Sequence, residues 1–295
     1  MLLEPECIGC LLEQIYKALN LLSPSISKEK IIKTQMKLME HLIKIDVLNK
    51  PGPIIGEKVY HLIAEALGEK DPYKALKDKY NRIALEYYDK AKDVIEHAED
   101  PLFEALAVSA IGNTIDFGAP HDMDLINDLK TFTPDKFKIN DIPDFKKSLE
   151  KSKNMIMLLD NAGEIVFDKL LVETLQKLYP DLEIICTVRS APIINDATME
   201  DAKFIGLTEI VKVIEAGPTP GIELSVVSEE FKKAFYSNKG GIILSKGQGN
   251  FESLYKLEVP NKEVYYLLKA KCVLMERIFK VKIGDLIFKR KSLIN

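Results

Sequence analysis

The sequence predicts an α/β fold, with a helical N-terminal part and a three-layer, Rossmann-like α/β/α part built on a mainly parallel sheet. Two observations carry this prediction. Up to about residue 112, apolar residues recur at helical spacing between strong breaks such as Lys50-Pro51-Gly52-Pro53. From about residue 154, apolar runs of strand length alternate with segments of helical length, which is typical of a parallel sheet covered by helices on both faces.

Five helices are predicted in the first half of the chain. Pro5 suits the first turn of the first helix, and Ser27 is a suitable N-cap for the second. The second helix carries a stripe of apolar residues, which predicts one face packed against the core. The members of this stripe are Ile31, Ile32, Met36, Met39 and Ile43. The five helices are predicted at 5–22, 28–45, 56–67, 72–98 and 102–111.

The second half is expected to contain five strands with helices between them. Strands are predicted at 155–159, 182–188, 210–214, 241–244 and 264–268, and helices at 166–179, 198–205 and 229–237. A length of 295 residues allows about two domains. We therefore divide the chain into a mostly helical domain at 1–150 and a Rossmann-like domain at 151–295 that carries the polar loops.

The composition argues against several classes of function. The chain has 41 Lys and Arg against 45 Asp and Glu, a formal charge of −4, and it shows no basic stripe of the kind that nucleic acids require. No apolar run approaches the ~20 residues that cross a bilayer, and the N-terminus lacks the pattern of a signal peptide. We therefore expect a cytoplasmic protein that binds neither nucleic acid nor membrane. Its oligomeric state is left open.

Polar side chains follow three of the predicted strands. Asp160 and Asn161 come directly after the first strand, and Asp196 lies in the loop after the second. Because the carboxyl ends of parallel strands meet at one edge of a sheet, we expect these side chains to lie together. Carboxylate and amide oxygens suit Mg²⁺ or Mn²⁺, and also Ni²⁺ or Co²⁺ when water completes the shell. Each residue alone also fits a plain helix cap.

The same loops carry groups that suit a phosphate. Arg189 and Lys246 supply positive charge, and Asn195 and the backbone amides of Gly247 and Gly249 supply hydrogen-bond donors. A metal site beside an anion site is the equipment of phosphoester hydrolysis. Lys246 alone also fits an ordinary surface lysine.

Other chemistries fit the sequence less well. A haloacid-dehalogenase phosphatase needs a second Asp two positions after Asp160, and that position is Ala162. A dinucleotide fingerprint starting at Gly247 lacks its third glycine, because Glu252 stands there. No Gly-x-Ser-x-Gly elbow is present, and all four histidines lie in the helical half. A metal-activated water acting on phosphorus is therefore the simplest mechanism.

Two motifs in the helical half have open roles. Asn113 and Asp116 follow an apolar helix, and we predict that they reach the substrate cleft; the alternative is a capped helix end. Cys7 and Cys10 lie one helical turn apart without further ligands for a tetrahedral zinc site. They are either small buried residues or a dithiol that supports the active site, and we predict that they pack near the cleft and affect activity.

Three blocks resemble the signature motifs of the metal-dependent damage-control phosphatases, a family also known as domain of unknown function eighty-nine. The blocks are Asp-Asn-Ala-Gly-Glu at 160–164, Arg-Ser-Ala-Pro-Ile-Ile-Asn-Asp-Ala-Thr at 189–198 and Lys-Gly-Gln-Gly-Asn-Phe-Glu at 246–252. The segment at 7–14 is similar to a largely archaeal and bacterial subgroup that carries Cys-x-x-Cys, which points to an archaeal source. Further similarity at 112–116 and 267–272 extends the resemblance over essentially the whole chain.

The resemblance implies a helical part joined to a Rossmann-like part, and one divalent metal bound by Asp160, Asn161 and Asp196 as the catalytic set. The metal would typically be Mn²⁺, Ni²⁺ or Co²⁺, with Mg²⁺ also compatible. The implied reaction is hydrolysis of phosphomonoesters of small, damaged or side-product metabolites, such as sugar phosphates or abnormal nucleotides. Two alternatives stay open, namely an S-adenosylmethionine-dependent carboxyl methyltransferase and a non-catalytic protein that binds phosphorylated metabolites.

Overall fold

A single mixed sheet of seven strands forms the centre of the protein in the computed structural model, which describes residues 1–112, 137–237 and 239–291. The strands are β1 (Phe137–Asn140), β2 (Asn154–Leu158), β3 (Glu183–Val188), β4 (Lys212–Glu215), β5 (Gly241–Lys246), β6 (Lys262–Lys269) and β7 (Leu286–Arg290). Their order across the sheet is β1-β7-β6-β5-β2-β3-β4. Neighbouring strands are parallel except β6 and β7, so the predicted α/β fold with a mainly parallel sheet is confirmed.

Helices precede the sheet and cover both of its faces. The helices before the sheet are α1 (Pro5–Leu22), α2 (Lys28–Lys44), α3 (Gly52–Leu67), α4 (Lys74–Glu86), α5 (Tyr88–Glu96) and α6 (Pro101–Gly112). Those between or after strands are α7 (Ile142–Leu149), α8 (Glu164–Leu178), α9 (Met199–Phe204), α10 (Glu229–Phe235), α11 (Gln248–Leu254) and α12 (Val273–Phe279). Within the described ranges, no helix combines the length and the apolar character needed to cross a bilayer.

The two faces of the sheet belong to two different hydrophobic clusters. Met155 and Met157 of β2 pack into the cluster that includes α6 and α8, whereas Ile156 and Leu158 pack into the cluster that includes α10 and α11. This alternation arises because successive side chains of a β-strand point to opposite faces of the sheet. A third cluster joins α1, α2 and α3 and also contains Ile193 from the loop after β3. The helical part therefore packs against a loop of the α/β part.

Several element boundaries differ from the predictions. Strands β1 and β7 were not predicted. Strand β1 lies before residue 150 and pairs with β7, so the sheet contains residues from both predicted domains. The proposed domain boundary at residue 150 stays a prediction. The predicted helix at 72–98 is two helices, because the chain turns at Tyr87 without a glycine or proline to mark the break. On α2, only Ile31 of the predicted stripe is buried, since the packed face is formed by Ile31, Thr34 and Leu38.

The order of the strands defines a crevice at one edge of the sheet. After β2 the chain continues to β3 on one side, and β5 later pairs with β2 on the other side. Ligands of open α/β sheets bind at such a switch point, outside the carboxyl ends of the strands. The loops after β2, β3 and β5, which carry most of the predicted site residues, meet at this edge.

Candidate active site

The loops after β2 and β3 are fixed to each other through their backbones. Asn161 and Asp196 form an antiparallel bridge, and the Ala197 N–H donates a hydrogen bond to the Asp160 carbonyl oxygen at 2.8 Å. The structure therefore brings the three predicted metal ligands together in one rigid unit, rather than on separate flexible loops. Asp160 and Asp196 are buried, at 8% and 5% exposed, and Asn161 is partly buried.

The Asn161 side chain lies at the centre of a polar network. Its Nδ2 donates to Asp160 Oδ2 at 2.8 Å and to Glu164 Oε2 at 2.9 Å, and its Oδ1 accepts from Asn195 Nδ2 at 2.8 Å. Asn195, which was predicted to assist phosphate binding, here orients the amide of Asn161. These three hydrogen bonds together fix the orientation of the Asn161 amide group.

The carboxylates of this network repel one another in a buried setting. Burial, followed by the nearby Glu164 and Asp196 carboxylates, raises the pKa of Asp160 to about 7. Burial also raises the pKa of Asp196, although the Arg189 guanidinium opposes that change. Without a cation, the site therefore holds more negative charge than its surroundings stabilise.

Arg189 is buried, and all three nitrogens of its guanidinium group donate hydrogen bonds to other protein groups. Its Nε donates to Asp196 Oδ2 at 2.7 Å, one terminal nitrogen donates to Asn250 Oδ1 at 2.9 Å, and the other to the Gly221 carbonyl at 3.3 Å. These contacts tie the loops after β3 and β5 together. The predicted role of Arg189 on a substrate phosphate stays a prediction, and in this structure the guanidinium positions Asp196.

Lys246, at the end of β5, lies in a fully buried ion cluster. Its Nζ is 2.6 Å from both Glu164 Oε1 and Asp168 Oδ1, and it donates to the Ser109 carbonyl at 3.3 Å. Burial disfavours the ammonium, but the Asp168 and Glu164 carboxylates outweigh burial and raise the pKa of Lys246. All three ammonium protons therefore have protein acceptors in this structure, so the predicted contact with phosphate would require Lys246 to exchange one of them.

Gly247 and Gly249 lie where other segments of the same chain approach the backbone closely. Gly247 has φ +73°, and a Cβ added there would lie 1.8 Å from Asp160 Oδ2. At Gly249 an added Cβ would lie 2.5 Å from the Pro220 carbonyl oxygen. The Gly247 N–H donates to the Leu267 carbonyl at 3.0 Å, so this amide is engaged. The sequence predicted phosphate-binding amides here; the structure adds that Gly247 makes room for a predicted metal ligand.

Comparison with known proteins shows the family to which this chain belongs. Residues 3–287 match the damage-control phosphatase ARMT1-like domain. The chain belongs to this family. An uncharacterised protein of Methanocaldococcus jannaschii is 34% identical over 96% of this chain and 93% of its own length, and a damage-control phosphatase of Pyrococcus horikoshii is 32% identical over 99% of both. The crystal structure of a DUF89 family protein from P. horikoshii has a TM-score of 0.84 and 30% identity, covering 99% of this chain and 100% of that one.

The donor set of this ARMT1-like cleft suits a divalent cation. Asp160, Asn161 and Asp196 present hard oxygen atoms, and Glu164 and Asp168 add two further buried carboxylates. When ionised, the two predicted Asp ligands together with Glu164 and Asp168 carry four negative charges. Arg189 and Lys246 neutralise two of them. Within the described ranges, no three His, Cys, Asp or Glu side chains form a ready ligand set, so the predicted set depends on Asn161. In this structure the Asn161 amide oxygen accepts from Asn195, so binding a metal would require that oxygen to exchange its partner.

Glu164 and Asp168 were not singled out from the sequence, although a signal was present. They lie four residues apart on α8, one turn along the same face, in the apolar run Glu-Ile-Val-Phe-Asp. Asp168 also accepts from the Ser109 hydroxyl at 2.6 Å, and burial raises its pKa to about 6. An acid pair inside an apolar stretch of a helix indicates a buried partner, which here is Lys246.

The helical part of this ARMT1-like chain contributes Asn81, which no sequence pattern marked. The Gly163 N–H donates to Asn81 Oδ1 at 2.6 Å, and Asn81 Nδ2 donates to Asp201 Oδ1 at 2.8 Å. Asp201 in turn forms the capping box of α9 with Thr198. Asn81 therefore links the loop after β2 to the helix that follows the loop of Asp196.

We expect Asn81→Ala to weaken metal binding and turnover as well as stability. The change leaves the buried Gly163 N–H without a partner and removes the hydrogen bond to Asp201 Oδ1, which costs about 1–3 kcal/mol of unfolding free energy. The loop that carries Asn161 also loses its anchor. Denaturant unfolding, Mn²⁺ titration and kcat measure the three effects. Asn20→Ala is the matched control, since the exposed Asn20 side chain donates to the Tyr16 carbonyl of its own helix; equal metal affinity in both variants would contradict this role.

The loop after β3 is anchored in the helical part by Ile193. This side chain is buried in the cluster of α1, α2 and α3, and the next residue, Ile194, has φ +46°. A β-branched residue rarely adopts this conformation, which costs of order 1–3 kcal/mol. Packing of Ile193 thus offsets the strain and directs Asn195 and Asp196 toward the loop after β2.

The remaining predicted residues have mixed outcomes. Asn113 and Asp116 lie outside the described residues, so their contact with the cleft stays a prediction. Cys7 is partly buried against the same cluster as Cys272, and burial raises the pKa of the Cys7 thiol, whereas Cys10 is exposed. Gln248, which follows Gly247, donates to Cys272 Sγ at 3.3 Å. An effect of Cys7 and Cys10 on activity stays a prediction.

Proposed function

We propose that this protein is a metal-dependent phosphatase that hydrolyses phosphomonoesters of small metabolites in the crevice between β2 and β5. Damaged or side-product compounds, such as sugar phosphates or abnormal nucleotides, are the substrate class. The observation that carries the proposal is the group of Asp160, Asn161 and Asp196, two buried carboxylates and a partly buried amide on bridged loops at the switch point of the sheet. The name of the P. horikoshii relative, a damage-control phosphatase, supports it.

Asp160, Asn161 and Asp196 would hold the metal, with Mn²⁺, Ni²⁺ or Co²⁺ as the expected ions and Mg²⁺ also compatible. Such an ion polarises phosphoryl oxygens and lowers the pKa of water bound to it. The chain's own residues set the geometry: Asn195 orients Asn161, Arg189 holds Asp196, and the absence of a side chain at Gly247 leaves room for the Asp160 carboxylate. Fixed groups of this kind need little reorganisation during the reaction.

An exposed lysine complements the buried cations of the site. Lys271 is exposed and lies two residues after the end of β6. Its positive charge partly opposes the rise in the pKa of Asp160, which places it near that carboxylate. Arg189 and Lys246 are bonded to protein acceptors. We therefore assign the first contact with an incoming phosphate to Lys271, with Lys246 and Arg189 acting mainly through the carboxylates that they hold.

Turnover of p-nitrophenyl phosphate tests the proposed function most directly. We expect release of phosphate from the purified protein with added Mn²⁺, and loss of that activity after chelation and dialysis. Restoring Mn²⁺ to the chelated protein should restore the rate. Phosphate binding without turnover would favour the non-catalytic alternative, and transfer of a methyl group from S-adenosylmethionine would favour the methyltransferase.

The apparent affinity for Mn²⁺ should increase from pH 5 to pH 7 and then level off. Asp160 must lose its proton to bind metal, and its pKa in the folded protein is about 7, above its ordinary value of 3.8. Without metal, this raised pKa destabilises the fold progressively as the pH rises from about 4 to 7. Isothermal titration at a series of pH values measures the affinity, with changes of up to about tenfold per pH unit. A flat profile between pH 5 and 7 would contradict the assignment.

A further inference from the structure

Helix α2 carries a row of exposed apolar side chains on the side that does not face the core. Ile32, Met36, Met39 and Ile43 are 55%, 50%, 43% and 85% exposed. Ile31 and Leu38 on the packed face are buried against α1 and α3. Single exposed apolar residues are common, but a continuous row of four along one helix marks an interaction surface.

The spacing of this row is that of a helix-pairing seam. The four positions are separated by four, three and four residues, which is the alternation of a and d positions in a heptad pattern. The helix is 17 residues long, so the row extends along most of a rod of about 25 Å. A second helix of similar length, either antiparallel or parallel, could pack along this row and cover it.

The charges beside the row select a second copy of this chain. Lys33 and Glu40 flank the row on the same side, at equivalent heptad positions. Lys33 also pairs with Glu29 of its own helix at 2.6 Å, an exposed ion pair of small energy that a partner carboxylate can share. An antiparallel pair with its two-fold axis between Met36 and Met39 places Lys33 beside Glu40 of the partner subunit, and repeats that contact by symmetry. In a parallel pair, position e faces position g of the other helix, so Lys33 would lie beside Lys28 of the partner subunit, a like charge. The antiparallel arrangement also opposes the two helix dipoles.

The neighbouring helix widens the surface. Gln35 Nε2 donates to the Leu12 carbonyl at 3.0 Å, so α1 lies along this edge of α2. Tyr16 is one turn after Leu12 and is exposed, and it therefore adds an aromatic side chain at the border of the row. We propose that α2 mediates a two-fold symmetric homodimer through antiparallel packing against α2 of a second copy.

The oligomeric state of the full chain tests this proposal. Light scattering after size exclusion, with protein loaded at about 100 µM to populate a small interface, should give twice the monomer mass of 33.3 kDa. Met36→Glu with Met39→Glu would place four carboxylates in the seam and should weaken dimerisation by at least about 100-fold. Leu178→Glu is the control, because Leu178 is exposed to the same extent as Met39 but lies on α8; it should remain dimeric.

A charge exchange distinguishes this dimer from other partners of the same surface. Lys33→Glu or Glu40→Lys alone should each weaken the dimer by several-fold, whereas the double variant should restore it, because opposite charges again meet across the axis. All of these variants should keep phosphatase turnover, since α2 contributes no side chain to the cleft. A monomer at 100 µM, or a dimer that Met36→Glu with Met39→Glu leaves intact, would overturn the proposal.

Discussion

Asp160→Asn should lose metal binding and at least about a thousandfold of turnover, while the folded protein without metal becomes no less stable at neutral pH. The amide keeps the shape of the side chain but removes the charge that a divalent cation requires. Burial and the Glu164 and Asp196 carboxylates already disfavour the ionised form of Asp160. Removing that charge therefore relieves repulsion in the metal-free protein.

Metal content after dialysis, kcat and thermal unfolding with and without Mn²⁺ measure these effects. Asp181→Asn serves as the matched control, because Asp181 is an exposed acid just before β3, at the opposite edge of the sheet. It should change none of the three quantities. Stoichiometric metal with full activity in Asp160→Asn would show that the metal site has been assigned to the wrong residue.

Lys246→Met should destabilise the protein by about 3–5 kcal/mol at pH 7, because it leaves the carboxylates of Glu164 and Asp168 buried without their cation. The loss should shrink below about pH 6, where Asp168 becomes protonated and no longer needs a charged partner. Urea unfolding at pH 7 and at pH 5 measures the difference. Activity should also fall, because Glu164 shares the network of Asn161.

A second variant separates the structural role of Lys246 from a direct contact with phosphate. Lys246→Met combined with Asp168→Asn removes one unpaired charge and should recover part of the lost stability. If Lys246 acts only by positioning Glu164, kcat and KM should recover in parallel with stability. Recovered stability with a persistent loss of kcat would instead place the Lys246 ammonium on the substrate during the reaction.

Sequence patterns alone were sufficient for the fold class and the main polar loops. Strands β2, β3, β5 and β6 are buried and appear as short apolar runs, because both faces of a parallel sheet are covered. The loops after β2 and β3 could be assigned to one edge, because parallel strands end on the same side. Strand β1 was missed because it has only four residues and alternates in burial, which gives a weak apolar signal. Strand β7 was missed because its apolar run has only three residues before Lys289 and Arg290.

The sequence by itself determined the fold class, the family and the grouping of Asp160, Asn161 and Asp196, since each depends on local periodicity or on a contiguous motif. Only the tertiary structure decided what those residues contact. Lys246 looks like one of many lysines in the sequence, yet it is buried between two carboxylates of α8. Asn81 lies 82 residues from Gly163 and still fixes its N–H. Burial and pairing of charges arise between distant segments, so no local pattern encodes them.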